Sequence, residues 1–393
     1  MLNTGAKAWV MDPSVQSVGE PLKRVNFRLA KPSGINPVPE GTGGRLCWEQ
    51  IRLEAPMKMR AMVLSGTGPI ASSPLEMREV DAPEPRPGEV RVRVLTCGLC
   101  RTDLHVIEGE LPPHKRDVIP GHQVVGVVDQ LGAGAARFKV GDRVGIAWLR
   151  STCGTCRYCR AGKENLCPNA LFTGYDADGG YAEFAVVREE FAYPVPASLD
   201  PAVVAPLLCA GIIGYRALQR AEMRPGCRLG LYGFGSSASI AIQIGRHLGC
   251  RVFVMTRDAR HQDLARQLGA TWAGDAAQAP PEPLDSAVLF APVGSLVPAA
   301  LQALDRGGTL AIAGIHLTDL PPLNYDRHLF QEKTLRSVTA NTRGDGEELL
   351  RLAADIPLTP RVTRFPLADA NRALQLLKAD GISGSGVLEV GAS

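Results

Sequence analysis

Arg228-Leu-Gly-Leu-Tyr-Gly233-Phe-Gly235-Ser-Ser-Ala238 is the stretch whose reading decides the fold. Its first five residues read as a short buried strand. Gly-x-Gly-x-x-Ala follows at once and opens a helix running to about Leu248, and Arg251-Val-Phe-Val-Met-Thr256 is the next strand. Gly233 allows the tight turn, Gly235 lets backbone approach a pyrophosphate, and Ala238 permits close helix–strand packing, with the phosphates at the helix N-terminus. A glycine pattern alone is weak evidence; its place between strand and helix gives it meaning. Gly233, Phe234, Gly235, Ser236 and Ser237 are therefore the candidate contacts to a dinucleotide.

Working outward, further strand–helix units follow. They are the helix from His261 to Leu268, the strand Ser286 to Phe290, the helix Ser295 to Leu304 and the strand Gly308 to Ala313. Alternation of this kind predicts a doubly wound parallel sheet. Upstream, Leu207 to Leu218 fits one helix with a small-residue face. Before that the pattern is different. Short strands separated by Gly/Pro turns run from Met59 to about Val195: Arg60 to Leu64, Val90-Arg-Val-Arg-Val-Leu95, Val124 to Val128, Lys139 to Val144 and Tyr181 to Val187. Many short strands at this spacing predict a barrel-like β domain. The last fifty residues, with helices near 347–354 and 367–379 and a strand at Gly386 to Val390, are expected to return to it. Residues 1–56 are rich in Pro and Gly without sustained periodicity and read as a poorly ordered extension, with Met57 or Met59 an alternative start.

The thiols are unevenly spread. Four of the ten cysteines, Cys153, Cys156, Cys159 and Cys167, lie in one short loop with two, two and seven residues between them. Four thiolates this close can surround one ion tetrahedrally, which is a closed, structural zinc site. The competing reading is an iron–sulfur cluster, whose bacterial run has a last gap of three rather than seven. A second group is Cys97-Gly-Leu-Cys100-Arg-Thr-Asp-Leu-His105 with His122 seventeen residues further on. A thiolate and a neutral imidazole suit zinc, and a site with an open position would be catalytic. The alternative is a buried cysteine and a helix cap from Thr102 or Asp103.

Length predicts two or three domains. A formal charge of +3 gives no reason to expect nucleic acid. No apolar run is long enough for a membrane span, and no secretory pattern opens the chain, so a cytoplasmic location is expected.

A barrel-like domain with a thiol–imidazole pair, a four-cysteine loop and a dinucleotide-binding unit closely resembles the zinc-dependent medium-chain alcohol dehydrogenases, including their cinnamyl-alcohol-dehydrogenase-like branch. The resemblance implies an α/β fold: a GroES-like β-barrel catalytic domain at 57–208 and 342–393, and a Rossmann domain at 209–341. It implies two zinc ions per chain and NADP or NAD. The ligands of the catalytic zinc would be Cys100, rather than Cys97, with His122 and Cys209; Cys153, Cys156, Cys159 and Cys167 would hold the structural one. Zinc would act as a Lewis acid on a bound alcohol, and a hydride would pass to the nicotinamide. Thr102 would hydrogen-bond the alcohol and pass its proton, by way of the cofactor ribose, towards His105 and solvent. Asp103 would orient His122, and Arg101 would reach the pyrophosphate. Partners would be a small alcohol or aldehyde and, by analogy, a second copy or a tetramer. The pocket would be lined by Trp148, Leu149, Tyr175 and Ile315, the last also near the cofactor.

Three residues depart from the family pattern. Gln123 follows the ligand histidine where relatives carry Glu; Ile213 replaces a Thr near the nicotinamide; Ser383 and Ser385 stand where relatives carry a basic residue. At the end of the second nucleotide strand, Thr256 occupies the position an NAD enzyme gives to Asp or Glu, and Arg257 follows. That favours NADP, unless Asp258 turns inward. The competing function is a non-catalytic zinc-binding module on a Rossmann scaffold, which would have no use for Cys100, His122 and Cys209.

Overall fold

The computed structural model describes residues 56–111, 114–356 and 358–391. Apart from Pro56, the extension expected at 1–56 lies outside the described residues.

The dinucleotide unit forms as its sequence dictates. Arg228–Tyr232, Arg251–Met255 and Trp272–Gly274 pair side by side in parallel, and Leu284–Leu289, Leu304–Ile312 and Thr334–Ser337 extend the sheet on the other side. All six strands are parallel, and the order reverses beside Arg228–Tyr232. That reversal is the switch point where ligands bind in such sheets. The apolar residues Leu229, Leu231, Val252, Val254 and Val288 are 0% exposed, because helices cover both faces. Each contributes about 1.5–3 kcal/mol by leaving water. The strands Leu284–Leu289 and Leu304–Ile312 begin a few residues earlier than periodicity suggests.

The second sheet is mixed and curled. Its order is Val362–Pro366, Ser385–Glu389, Glu89–Gly98, Gln123–Leu131, Arg143–Ile146 and Ala192–Pro194, with Phe184–Arg188 also on Glu89–Gly98. The hairpin of Lys58–Leu64 and Leu75–Asp81 closes on it through bridges at Ala61–Ala182 and Leu64–Val118. The two C-terminal strands thus join the sheet built by the first half of the chain.

Two sequence expectations need correcting. The alternation in Val90 to Leu95 implies a solvent-facing polar side. Arg93 is exposed, but Arg91 is buried, because Asp129 on one flanking strand pairs with it at 2.9 Å and the Phe184 ring on the other lies against its guanidinium. The single helix over Leu207 to Leu218 is in fact two pieces. A short 3-10 turn, Ala205–Leu208, ends at Cys209 (φ −134°, ψ −73°), and the regular helix is Ala210–Arg220. Helical chain on either side meets at 45°. Leu208 is held by the barrel, packed so closely over Gly145 that a Cβ there would meet its Cδ2 at 2.7 Å. Gly214, beyond the break, lies against the backbone of Ser237 in the dinucleotide unit. The chain turns at Cys209 because it passes from one body to the other. Among the described residues no single helix is long and apolar enough to cross a membrane.

Candidate active site and metal centres

The break at Cys209 aims its sulfur at Cys100. The Sγ atoms are 3.9 Å apart, and Cys100 Sγ is 3.3 Å from His122 Nε2. The three donor atoms all lie within 4.8 Å of one another. Cys100 follows the strand Glu89–Gly98 and caps the helix Arg101–Ile107, with Sγ accepting from Thr102 N at 3.3 Å. Asp103 closes the capping box by accepting from Cys100 N at 2.8 Å. Its other oxygen receives His122 Nδ1 at 3.1 Å. One carboxylate therefore both caps the helix and holds the His122 ring. Cys97, in contrast, is sealed in the barrel core.

Proximity pulls the protonation equilibria of this group apart. The hydrogen bond from Cys209 draws the Cys100 thiol well below its ordinary value against burial, helped by the charge of His122. Burial would lower His122, but Cys100 and Asp103 outweigh it and raise the ring to about 10. Donation to Cys100 and burial push the Cys209 thiol up. Two soft, half-buried sulfurs and one buried imidazole nitrogen, held this close, are the donor set of zinc with a fourth position open. Trp148 packs edge-on against His122 at 5.0 Å and stacks on Phe172 and Tyr175, which continues the wall outward. Leu149 is not a lining residue; it is 0% exposed in the barrel core.

Cys153, Cys156, Cys159 and Cys167 form the second convergence of metal-binding type among the described residues. Their sulfurs also accept backbone N–H groups: Cys153 Sγ from Cys156, Cys156 Sγ from Cys159 and Cys167 Sγ from Cys153, at 3.4–3.5 Å. Such bonds favour the charged thiolate, and those from Thr155 and Cys156 bring Cys153 down to about 6. The loop docks through Asn165 Nδ2 on Thr339 O (2.7 Å) and Glu164 on Arg343 N (3.1 Å). No sequence pattern flagged these two anchors.

At the dinucleotide turn Gly233 has φ +84°, and a Cβ there would meet Ala291 N at 2.9 Å, so only glycine fits. A Cβ on Gly235 would meet nothing within 4 Å; it would occupy the open space a pyrophosphate needs. Gly235 caps the helix Ser236–His247 with no side-chain acceptor for the first N–H groups, which leaves them for an anion. The Phe234 side chain is buried in the core, so only its backbone faces the turn. Ser236 Oγ bonds Ser385 Oγ at 2.5 Å and ties the turn to the barrel. Thr256 is buried, Arg257 is exposed, and Ile315 is 69% exposed. Arg101, expected at the pyrophosphate, pairs with Asp380 at 2.5 Å. His105 lies on the exposed side of its helix and bonds Glu110 at 2.5 Å through Nδ1. Glu110 carries no motif signal beyond its nearness in sequence.

Residues 86–197 match the family described as alcohol dehydrogenase GroES-like domain, and residues 238–355 that described as zinc-binding dehydrogenase. The Probable alcohol dehydrogenase AdhA of Mycobacterium tuberculosis (strain CDC 1551 / Oshkosh) is 56% identical over 335 residues, covering 84% of this chain and 97% of that protein. Among solved structures, a cinnamyl alcohol dehydrogenase of Sorghum bicolor superposes with a TM-score of 0.76 at 29% identity, over 85% of this chain and 98% of that one. A cobalt- and zinc-bound thermostable alcohol dehydrogenase from Pyrobaculum aerophilum gives 0.76 at 27% identity, over 85% and 100%. A barrel carrying a thiol–imidazole site beside a dinucleotide switch point defines a metal-dependent oxidoreductase. The chain belongs to the zinc-dependent medium-chain alcohol dehydrogenase family. It is an alcohol dehydrogenase that uses zinc and a nicotinamide dinucleotide, and the reading as a non-catalytic zinc module is not favoured.

Removing the carboxylate that holds His122 tests the second layer of the site. Asp103→Asn is expected to weaken zinc retention about 10- to 100-fold, read by chelator competition, with the helix cap largely preserved. Unchanged retention would mean that Asp103 serves only the cap.

Proposed function

We propose that Cys100, His122 and Cys209 hold the catalytic zinc, that Cys153, Cys156, Cys159 and Cys167 hold a structural one, and that the enzyme interconverts primary or secondary alcohols with their carbonyl compounds. The carrying observation is the convergence of Cys100, His122 and Cys209 within 4.8 Å. When bound, zinc supplies Lewis acidity that makes a substrate hydroxyl acidic, and the nicotinamide takes or gives the hydride. Thr102, 3% exposed beside Cys100, accepts a hydrogen bond from the substrate hydroxyl and relays its proton by giving up its own, so the Thr102 oxygen stays neutral. His105 passes the proton to Glu110 and solvent, since its side chain is 23% exposed and already bonded to that carboxylate. Asp103 fixes the His122 ring. Trp148 and Tyr175 exclude water and suit apolar alcohols, aliphatic or benzylic. Gly233, Gly235 and the N–H groups of Ser236 and Ser237 cradle the pyrophosphate. The barrel and the dinucleotide body divide at about residues 209 and 342. The enzyme works as a cytoplasmic homo-oligomer.

NADP is the preferred cofactor. Asp258 is committed: it caps the helix Ala259–Gln267 by accepting from Arg260 N and pairs with the Arg260 side chain at 2.6 Å. Arg257 makes no hydrogen bond or ion pair among the described residues and is exposed, ready for a 2′-phosphate. Arg257→Ala is expected to lower kcat/KM for NADPH about 10- to 100-fold, the loss of one or two charge-assisted hydrogen bonds, with NADH little changed. Equal losses with both cofactors would remove Arg257 from phosphate recognition. The function itself is tested by following NADPH and NADH oxidation with benzaldehyde and a short aliphatic aldehyde. Turnover that survives removal of the active-site metal would sink the reading.

A further inference from the structure

Nine cysteines lie among the described residues. Six of them, with His122, make up the two metal clusters once Cys97, Cys227 and Cys250 are set aside, and Cys97 is sealed in the barrel against the Gly98 carbonyl. Cys227 and Cys250 are left, and they face each other with sulfurs 3.5 Å apart. Their meeting is built by the sheet. Arg228 and Arg251 are opposed in the parallel register, so Cys227 and Cys250 stand at the next opposed position, where Arg251 N donates to Cys227 O at 2.9 Å. Adjacent strands lie about 4.8 Å apart, inside the Cα separation of roughly 4.4–6.8 Å that a disulfide spans. The preceding turns also meet, with Gly226 N bonded to Leu248 O at 3.0 Å. Cys227 is half-buried, while Cys250 is 2% exposed and its thiol bonds Arg224 O at 3.4 Å.

We propose that Cys227 and Cys250 form a modification site, oxidised by peroxides to an intrachain disulfide that closes a covalent ring around the phosphate-binding unit. The more exposed Cys227 reacts first. Its thiolate sulfur attacks one peroxide oxygen and the O–O bond breaks, which gives a sulfenic acid and, from hydrogen peroxide, water. The Cys250 sulfur then attacks the Cys227 sulfur, the S–O bond breaks and a second water leaves. The two thiols lose two electrons and two protons; the peroxide gains both. A dithiol reductant reverses the bond by exchange. Burial lifts the Cys227 thiol to about 12, with Cys250 and Asp285 adding to it, so the reaction at neutral pH is slow.

The ring contains the strand Arg228–Tyr232, the Gly233 turn and the helix Ser236–His247. The sulfurs lie at the start of that strand and the cofactor turn at its other end, so the bond staples the unit without entering the cradle. The deduction concerns a site apart from the zinc clusters, so its failure leaves the functional reading intact.

The test treats the zinc-loaded enzyme with hydrogen peroxide at pH 8 for hours, alkylates the remaining thiols and digests without reduction. The expected product, in most chains, is a peptide pair joined through Cys227 and Cys250, lost on dithiothreitol treatment and absent from Cys227→Ser. Hydrogen exchange over residues 228–250 should slow at least several-fold in oxidised wild type and not in Cys227→Ser. Recovery of both cysteines alkylated, or of Cys227 over-oxidised with no joined peptide, would overturn the proposal. Equal slowing of exchange in both proteins would overturn the ring's role.

Discussion

Replacing Cys100 with alanine is expected to take zinc from two ions per chain to one and to lower kcat/KM for aldehyde reduction by about three orders of magnitude or more. The metal count follows from the two separate donor clusters, each of which should hold one ion. The rate follows from what the ion supplies. Lewis-acid stabilisation is worth several kcal/mol, and each 1.36 kcal/mol is tenfold, so about 4 kcal/mol gives about a thousandfold. Cys100 is the right residue to remove because both of the other donors touch it: His122 Nε2 at 3.3 Å and Cys209 Sγ at 3.9 Å. Without it, two protein donors are too few to hold the ion. The fold should survive, since Asp103 can still cap the helix by accepting from the backbone N–H of residue 100. Elemental analysis and circular dichroism on the same sample separate the site from the fold. A variant that keeps both ions and its activity would contradict the assignment.

The second large effect is on stability. Cys156→Ala is expected to release the other zinc and to cost more than about 4 kcal/mol of unfolding free energy, in the range of lost metal sites. This loop has little apolar core of its own. Leu166 and Leu171 are 43% and 46% exposed, and Cys167 is the single buried residue of its four thiols. The sulfurs, gathered by N–H donors, take the place of a core. Losing the ion should also free Asn165 and Glu164 from Thr339 and Arg343. Urea unfolding followed by tryptophan fluorescence measures the loss, and limited proteolysis locates it in residues 153–167. An unchanged midpoint in a protein that has lost one zinc would show that the loop folds without metal.

Much of this architecture was legible in sequence because it rests on local rules. Gly233 was readable because a tight turn after a strand admits nothing larger, and the four-cysteine loop because spacing alone brings its thiols together. Asp103 was readable twice over, as a cap and as a partner of His122. Other parts depend on long-range packing. Nothing local says that the helix must break at Cys209; the cause is that Leu208 is gripped by the barrel and Gly214 by the dinucleotide unit. Arg91 sits on the polar side of the alternation, which cannot reveal that Asp129 and Phe184 on the flanking strands cover it. The Arg101–Asp380 pair, 279 residues apart in sequence, is likewise made by packing that no local pattern shows. The Cys227–Cys250 pair was scattered in sequence and becomes a pair through the parallel register.

Zinc K-edge X-ray absorption of the wild-type enzyme tests the central claim most directly. A site of four cysteines and a site of two cysteines and one histidine, its fourth position filled by water, average to about three sulfurs near 2.3 Å and one lighter N/O donor near 2.0 Å per zinc. That shell, shifting to about four sulfurs in Cys100→Ala, is the result the account expects. An all-sulfur shell in wild type, with one zinc per chain, would mean that Cys100, His122 and Cys209 hold no metal and that the catalytic reading is wrong.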